Sequence, residues 1–363
     1  MSGSHPDLPA GTSLLAGRYA FVDVLGSGGM GAVWRVWDVR ESRYRAAKLL
    51  RQQRADLLLR FVAEQGTRIE HPHVLAPESW AAEDDRVVFA MQLVDGGSVA
   101  DLLGDHGALP LAVTVELVDQ LLQGLVAVHD AGVVHRDVKP ANLLLRATGR
   151  GRPHLLLSDF GIAVREDLPR LTSRDDRLLT LGYSAPELDR GADPHTSADV
   201  WSAGVVALEL ATGVRPATTA GSSPTPPAGV LPAGLRDVVL AMTSAAPEAR
   251  PGAAEALDRW RAATSALTLP APVDAGGEPF EVLAQLPPLP AAWGTDGPAP
   301  AGPVGGEGVA PTEDIPGAGP AATSTGVVAD PPSGPPAWWR PAVLSVAAAL
   351  GMVLVAIAAL AWA

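Results

Sequence analysis

Cysteine is absent from the 363 residues, so the chain holds no disulfide and no thiolate metal site, and a reducing compartment is permitted. Lysine is nearly absent as well: Lys48 and Lys139 stand alone against 25 arginines, and Asn142 is the single asparagine. Net positive charge is missing, and the formal charge of −13 argues against nucleic acid as a partner, because phosphate binding needs a basic face. No basic n-region or apolar run occupies Met1 to Gly11, so no signal peptide is expected. What remains is long enough for more than one domain, with a sizeable core in at least one.

Composition divides the chain. Residues 1–17 read as a tail, and 18–262 have mixed globular composition with periodic apolar stretches. From 263 to 340 the sequence is rich in Pro, Ala and Gly; 16 of the 75 residues from 263 to 337 are proline, which forbids long helices. Eight carboxylates and no Lys or Arg lie between Arg261 and Arg340. This stretch is expected to be a flexible, acidic tether with a reach of roughly 50 Å or more. Its more apolar island, Phe280 to Trp293, fits either a docking segment or an ordinary linker patch, and the linker patch is the expectation. Ala342 to Trp362 carries no charge, and 21 residues as a helix span about 31 Å, a bilayer's hydrocarbon core. Trp338, Trp339 and Arg340 precede it, as interfacial and cytoplasmic flanks do. The expectation is a transmembrane helix at 341–363, held in a lipid bilayer with the rest on the cytoplasmic side and no sensor domain beyond Ala363.

Within 18–262, strands are predicted over Tyr19–Leu25, Ala32–Asp38, Arg45–Leu50 and Val87–Leu93, from alternation and strand-rich composition. After Asp95-Gly96-Gly97 helices dominate, notably Leu111 to Ala131 with apolar residues at helical spacing. A small β-rich half followed by a larger helical half implies two lobes and a cleft.

The scarce residue types fall in one pattern. Gly26-Ser27-Gly28-Gly29-Met30-Gly31 links two strands instead of opening a helix, which suits a flap whose amides cover phosphates more than a dinucleotide-binding turn. Lys48 follows it, and His135-Arg136-Asp137-Val138-Lys139-Pro140-Ala141-Asn142 supplies an acid, a cation and an amide on one loop. Asp159-Phe160-Gly161 comes after the apolar strand Leu155–Leu157. Phosphoryl transfer needs this set: a metal clamp, a cation on the phosphates and a group that orients the nucleophile. Singly these could be a surface Lys or a solvated loop Asp; in this order they point to ATP.

The stretch from Arg18 to Trp260 resembles the catalytic domain of bacterial Hanks-type serine/threonine protein kinases. The likeness is carried by Gly17-Arg18-Tyr19 through Val33, Ala185-Pro186-Glu187, Asp199-Val200-Trp201-Ser202-Ala203-Gly204 and Arg250. It implies an α+β bilobal protein-kinase fold, with an N-lobe at about 18–94 and a C-lobe at about 95–262. It also implies that Lys48 binds the α/β-phosphates, Asp137 orients or deprotonates the acceptor hydroxyl, and Lys139 neutralises the transferring phosphoryl. Asn142 and Asp159 would hold Mg²⁺ or Mn²⁺. The nucleotide would lie among Leu25, Gly26, Ser27, Gly28, Gly29, Met30, Gly31, Val33 and Ala46, with Met91 as gatekeeper, Gln92 to Val94 as hinge and Glu64 as partner of Lys48. Glu187 and Arg250 would form a structural pair, Asp199 would brace the catalytic loop, and Thr180 would meet the substrate Ser or Thr. A phosphate on the activation segment would meet Arg136, and Thr172 or Ser173 is its expected site.

Some positions depart from the family pattern: Gly66 and Arg68 near Glu64, Leu179 before Thr180, and the Pro216-Ala217 stretch after Gly213. They leave a pseudokinase, a nucleotide-binding membrane scaffold, as the alternative to an active kinase of protein substrates. A small-molecule kinase is disfavoured by the complete segment up to Ala185-Pro186-Glu187. Self-association for phosphorylation in trans is compatible with the active-kinase reading.

Overall fold

The structure is a computed structural model of the chain and describes residues 8–9, 12, 14–28, 31–50, 69–83, 86–159, 182–215, 224–274 and 276–299. The expected membrane span and the linker beyond 299 lie outside these residues.

Among the described residues the first lobe is one antiparallel sheet. Its strands are β1 (Leu14–Leu15), β2 (Tyr19–Gly28), β3 (Gly31–Asp38), β4 (Arg43–Leu50), β5 (Ser79–Glu83) and β6 (Arg86–Gln92), ordered β1-β2-β3-β4-β6-β5. Successive side chains on a strand point to opposite faces, so register assigns each residue a side. Lys48 lies opposite Val33 and Phe89, and Ala46 opposite Arg35 and Met91, which places all six on one face. The other face carries Val36, Ala47, Val88 and Ala90, which pack with Leu15, Tyr19 and Ala81 into the lobe's own core. Register shifts in β2 at Phe21/Asp23 and Val24/Gly26 mark bulges, which increase local twist just before the glycine-rich turn.

A buried ionic network closes the β3–β4 turn. The Asp38 side chain is fully buried and accepts hydrogen bonds from Arg18 Nη2 at 2.7 Å and Arg45 Nε at 3.2 Å. Arg45, itself buried, also pairs with Glu41 at 2.7 Å and with Glu78. Burial pushes the Asp38 carboxyl up, and the arginines outweigh that and hold it below the ordinary range.

The second lobe is helical: α1 (Val99–His106), α2 (Leu111–Asp130), α3 (Pro186–Asp189), α4 (Thr196–Thr212), α5 (Ala233–Met242) and α6 (Ala253–Ser265), with a small sheet of β7 (Leu143–Leu145) and β8 (Leu155–Leu157). A capping box opens α1, since Ser98 Oγ accepts from Asp101 N and the Asp101 carboxylate accepts from Ser98 N. Around α2 the lobe builds its core with Leu117, Leu121 and Leu125, all fully buried, against α4 and α6. Trp260 of α6 is buried there, its indole N–H donating to Val115 O at 3.1 Å. Among the described residues α2 is the one helix long and apolar enough to cross a membrane, and here it is the central core helix.

One expectation changes. Residues 266–299, assigned to a flexible tether, run along the domain instead: Phe280 and Val282 enter the helical lobe's core, and Trp293 packs with Trp37 and Ala20 of the sheet. The strands β9 (Trp293–Gly294) and β10 (Gly297–Pro298) close this stretch as a two-stranded turn. Average composition misleads here because a few apolar residues suffice once the chain is extended. Burying Phe280 contributes about 2 kcal/mol, and proline, already restricted in the free chain, has less entropy to lose.

Candidate active site

An apolar cluster forms where the lobes meet. Ala46, Leu75, Met91 and Leu156 are buried together, with Leu25, Val33, Leu93, Val94 and Leu144 packed against them. Leu25 and Val33 come from the strands flanking the glycine-rich turn, Met91 to Val94 from the hinge side, and Leu144 and Leu156 from the helical lobe's small sheet. Leu144 and Leu156 were not singled out from the sequence. Leucines in a short apolar strand look like any core leucine, and the available signal was that Leu144 stands two residues after Asn142.

The turn itself pairs Gly26 with Val33, Ser27 with Ala32 and Gly28 with Gly31. A Cβ on Gly26 would meet nothing within 4 Å, so the fold sets no steric demand for glycine there; a ligand lying close to the backbone would. The hinge is tied to the second lobe, because Arg146 Nη2 donates to Gln92 Oε1 at 2.8 Å and Ala147 N donates to Asp95 Oδ1 at 2.9 Å.

The catalytic-loop residues converge as their spacing implied. Lys139 Nζ reaches Asp137 Oδ1 at 2.8 Å and Oδ2 at 2.7 Å. Asn142 Nδ2 donates to Asp137 O at 2.7 Å and Oδ2 at 2.8 Å. Both bonds use the amide nitrogen, and the amide oxygen is the atom a hard cation takes. Ser158 N donates to Asn142 O at 2.8 Å and fixes the next residue, Asp159, beside the loop. Lys48 Nζ then pairs with Asp159 Oδ1 at 2.6 Å. Two contact groups, Lys48–Asp159 and Asp137–Lys139–Asn142, are thus held side by side by the Ser158 backbone bond. Arg136 and Asp159 take φ of 69° and 53°, a region that side-chain-bearing residues rarely adopt and that costs on the order of 1–3 kcal/mol. Strain of this kind clusters at functional sites.

Buried partners hold the loop. Asp199 accepts from His135 N at 2.7 Å and His129 Nε2 at 2.9 Å, and its other oxygen accepts from Arg136 N at 2.8 Å. His135 is fully buried; Nε2 contacts Ser158 O at 3.0 Å and Asp137 N donates to Nδ1 at 3.3 Å, which is the pattern of a neutral ring. Burial lowers its pKa, and likewise those of His71, His73 and His154, below the ordinary 6.5. A depressed histidine favours the neutral folded form, so its stability is complete above about pH 6.5 and declines as pH falls through the folded value. The urea midpoint is expected to drop between pH 7 and 5 and to stay level from pH 7 to 8; a flat profile across both ranges would contradict this.

Glu187 and Arg250 pair in two-pronged fashion, at 2.6 and 2.7 Å, with the guanidinium buried and lying 4.9 Å over Trp201. Burial alone would raise the Glu187 carboxyl, and Arg250 overrides it downward. Arg250→Ala leaves a partly buried carboxylate unpaired and is expected to destabilise by about 3 kcal/mol, read as a lower melting temperature. Arg250→Lys recovers little, since an ammonium lacks the planar fork. Tyr183 is withdrawn from modification: its buried hydroxyl donates to Glu209 Oε2 at 2.5 Å, and burial with that bond pushes its pKa up.

Gly29, Met30, Glu64, Thr172, Ser173 and Thr180 lie outside the described residues. Among the described residues no cluster of three His, Cys, Asp or Glu can hold a metal ion. One carboxylate and one amide oxygen suit Mg²⁺ bound jointly with phosphate oxygens, which needs no all-protein cage.

Comparison with known proteins agrees with this geometry. The protein kinase domain model matches residues 19–259. The serine/threonine-protein kinase PknJ of Mycobacterium tuberculosis is 37% identical over 269 residues, covering 72% of this chain and 45% of the relative. Serine/threonine-protein kinase PkaA of Streptomyces coelicolor is 35% identical over 222 residues, 57% of this chain and 40% of the relative. Serine/threonine-protein kinase PknA of M. tuberculosis is 34% identical over 212 residues, 56% and 48% respectively. The chain thus spans less than half the length of these relatives. With its domain match covering most of the chain and its polar residues joined as described, the chain belongs to the protein kinase family.

Proposed function

We propose that the chain is an ATP-dependent serine/threonine protein kinase that transfers the γ-phosphate to protein hydroxyls and phosphorylates its own activation segment at Thr172 or Ser173. The observation that carries this reading is the Lys48–Asp159 pair set beside the Asp137–Lys139–Asn142 loop by the Ser158 N to Asn142 O bond. Bound Mg²⁺, held by Asn142 and Asp159, would neutralise the triphosphate's charge. Leu25, Val33, Ala46, Met91, Leu144 and Leu156 would hold the adenine ring, and the glycine-rich amides would orient the phosphates. Lys48, now paired with Asp159, would turn to the α/β-phosphates. Asp137, positioned by Asn142, would accept the proton of the acceptor hydroxyl while Lys139 steadies the transferred group.

The C-terminal segment 341–363 would anchor the chain in the plasma membrane with the kinase domain cytoplasmic, since the 21 uncharged residues Ala342 to Trp362 match a bilayer and Arg340 precedes them. Gently lysed cells should yield the full-length chain in the membrane fraction, and a version lacking 340–363 in the soluble fraction. Full-length chain in the soluble fraction would overturn the anchor. Incubation with ATP and Mg²⁺ followed by mass spectrometry tests the phosphosites: phosphate at Thr172 or Ser173 is expected, and activity unchanged by replacing both with Ala would sink the regulatory role.

A further inference from the structure

The face of the sheet that lines the nucleotide pocket does not end there. Val33, Ala46 and Met91 belong to the pocket, and the same face continues along β3 and β4 through Arg35, Trp37 and Tyr44. Residues 287–297 lie on that continuation. Tyr44 Oη donates to Gly294 O at 2.6 Å, and Arg35 Nη2, held by Asp23, donates to Pro287 O at 3.0 Å. Trp293 is buried with Trp37, and the two indoles each meet Tyr44 in a T-shaped ring contact or close to one, at 6.3 and 4.9 Å.

The other end holds the helical lobe. Gly149 and Val282 exchange two backbone hydrogen bonds of 2.9 Å, and Phe280 packs at 5.1 Å from His106. Between these ends Gln285 N donates to Asp95 O at 2.7 Å, one residue past the hinge. Two glycines show how close the fit is. A Cβ on Gly97 would come within 2.9 Å of Gln285, and one on Gly297 within 2.7 Å of Trp37.

We propose that residues 279–299 are an intramolecular strap that ties the sheet to the helical lobe across the hinge and sets the cleft spacing at which nucleotide binds. The functional catalytic unit then ends near 299 and not at 262, and Arg35, Tyr44 and Trp293 are positioning residues for the nucleotide site. The KM part of the test rests on the proposed ATP site; amide exchange reads the strap without nucleotide.

The test uses the full chain with Val282→Asp and Trp293→Asp combined, one change at each end. Leu283→Ala, on the strap's exposed side, is the control. The double variant should become protease-sensitive at 279–299, and amides of 92–97 should exchange at least about tenfold faster. KM for ATP should rise about fivefold with kcat within about twofold. A synthetic peptide of residues 276–299 should restore the exchange of 92–97 and KM, while the variant's own displaced segment stays protease-sensitive. As a second measurement that leaves folding untouched, a specific protease site placed between Leu269 and Pro272 is cut after the chain has folded, and the released strap is diluted away. The same shifts are expected. Hinge exchange and KM unchanged after the strap has left, or a strap still protected in the double variant, would overturn the proposal. If exchange responds while no form binds ATP, the strap stands and the nucleotide assignment fails.

Discussion

Asp137→Asn is expected to lower kcat by about 10³-fold, because a positioned general base contributes 10²- to 10⁴-fold. Its KM for ATP should change little, since the pocket's apolar residues lie elsewhere. The substitution keeps volume and one acceptor oxygen, so Lys139 retains a side-chain acceptor and Asn142 its bond to the backbone oxygen of residue 137. The melting temperature should therefore stay within a few degrees, and a folded but slow enzyme is the predicted product. Steady-state kinetics with a generic acceptor protein checks it. A loss of ATP affinity with kcat intact would reassign Asp137 from chemistry to binding.

Asp159→Asn should be as severe, through a different step. The carboxylate is partnered with Lys48 at 2.6 Å and would supply the one protein charge on the metal beside Asn142. Without it Mg²⁺ is held by neutral oxygens, and transfer should fall about 10³-fold. Raising Mg²⁺ should recover part of that loss, whereas Asp137→Asn should not respond. Asn142→Ala should share the metal dependence and also release the Asp137 carboxylate, which loses its 2.8 Å donor. Magnesium titrations of the three variants separate these roles; identical metal dependence for all three would contradict the assignment.

The polar centre was legible in the sequence because its chemistry constrains residue type and spacing together. Lys48, Lys139 and Asn142 stand out in a chain that otherwise avoids lysine and asparagine; Lys139 and Asn142 both bond Asp137, and Lys48 pairs with Asp159. Strands β2, β3, β4 and β6 and the long helix α2 were legible from alternation and helical periodicity. Strand β5, Ser79–Glu83, was not, since Ser-Trp-Ala-Ala-Glu alternates too weakly. The buried Arg45–Asp38 network was hidden because charged residues in a strand read as solvent-facing until their partners are known. The strap was hidden for a related reason. The apolar island Phe280 to Trp293 admitted docking, but whether Phe280, Val282 and Trp293 dock depends on a complementary surface made by Trp37, Tyr44 and the helical core, which linker composition alone does not supply.

The most direct measurement is transfer from γ-labelled ATP, with Mg²⁺, to a generic acceptor protein by the wild-type full chain beside Lys48→Met and Asp137→Asn. The expected result is label in the acceptor as phosphoserine and phosphothreonine for wild type, and label near background for both variants. Wild-type chain that binds ATP yet transfers no label would contradict the account and make the protein a nucleotide-binding scaffold; label undiminished in both variants would place the chemistry elsewhere.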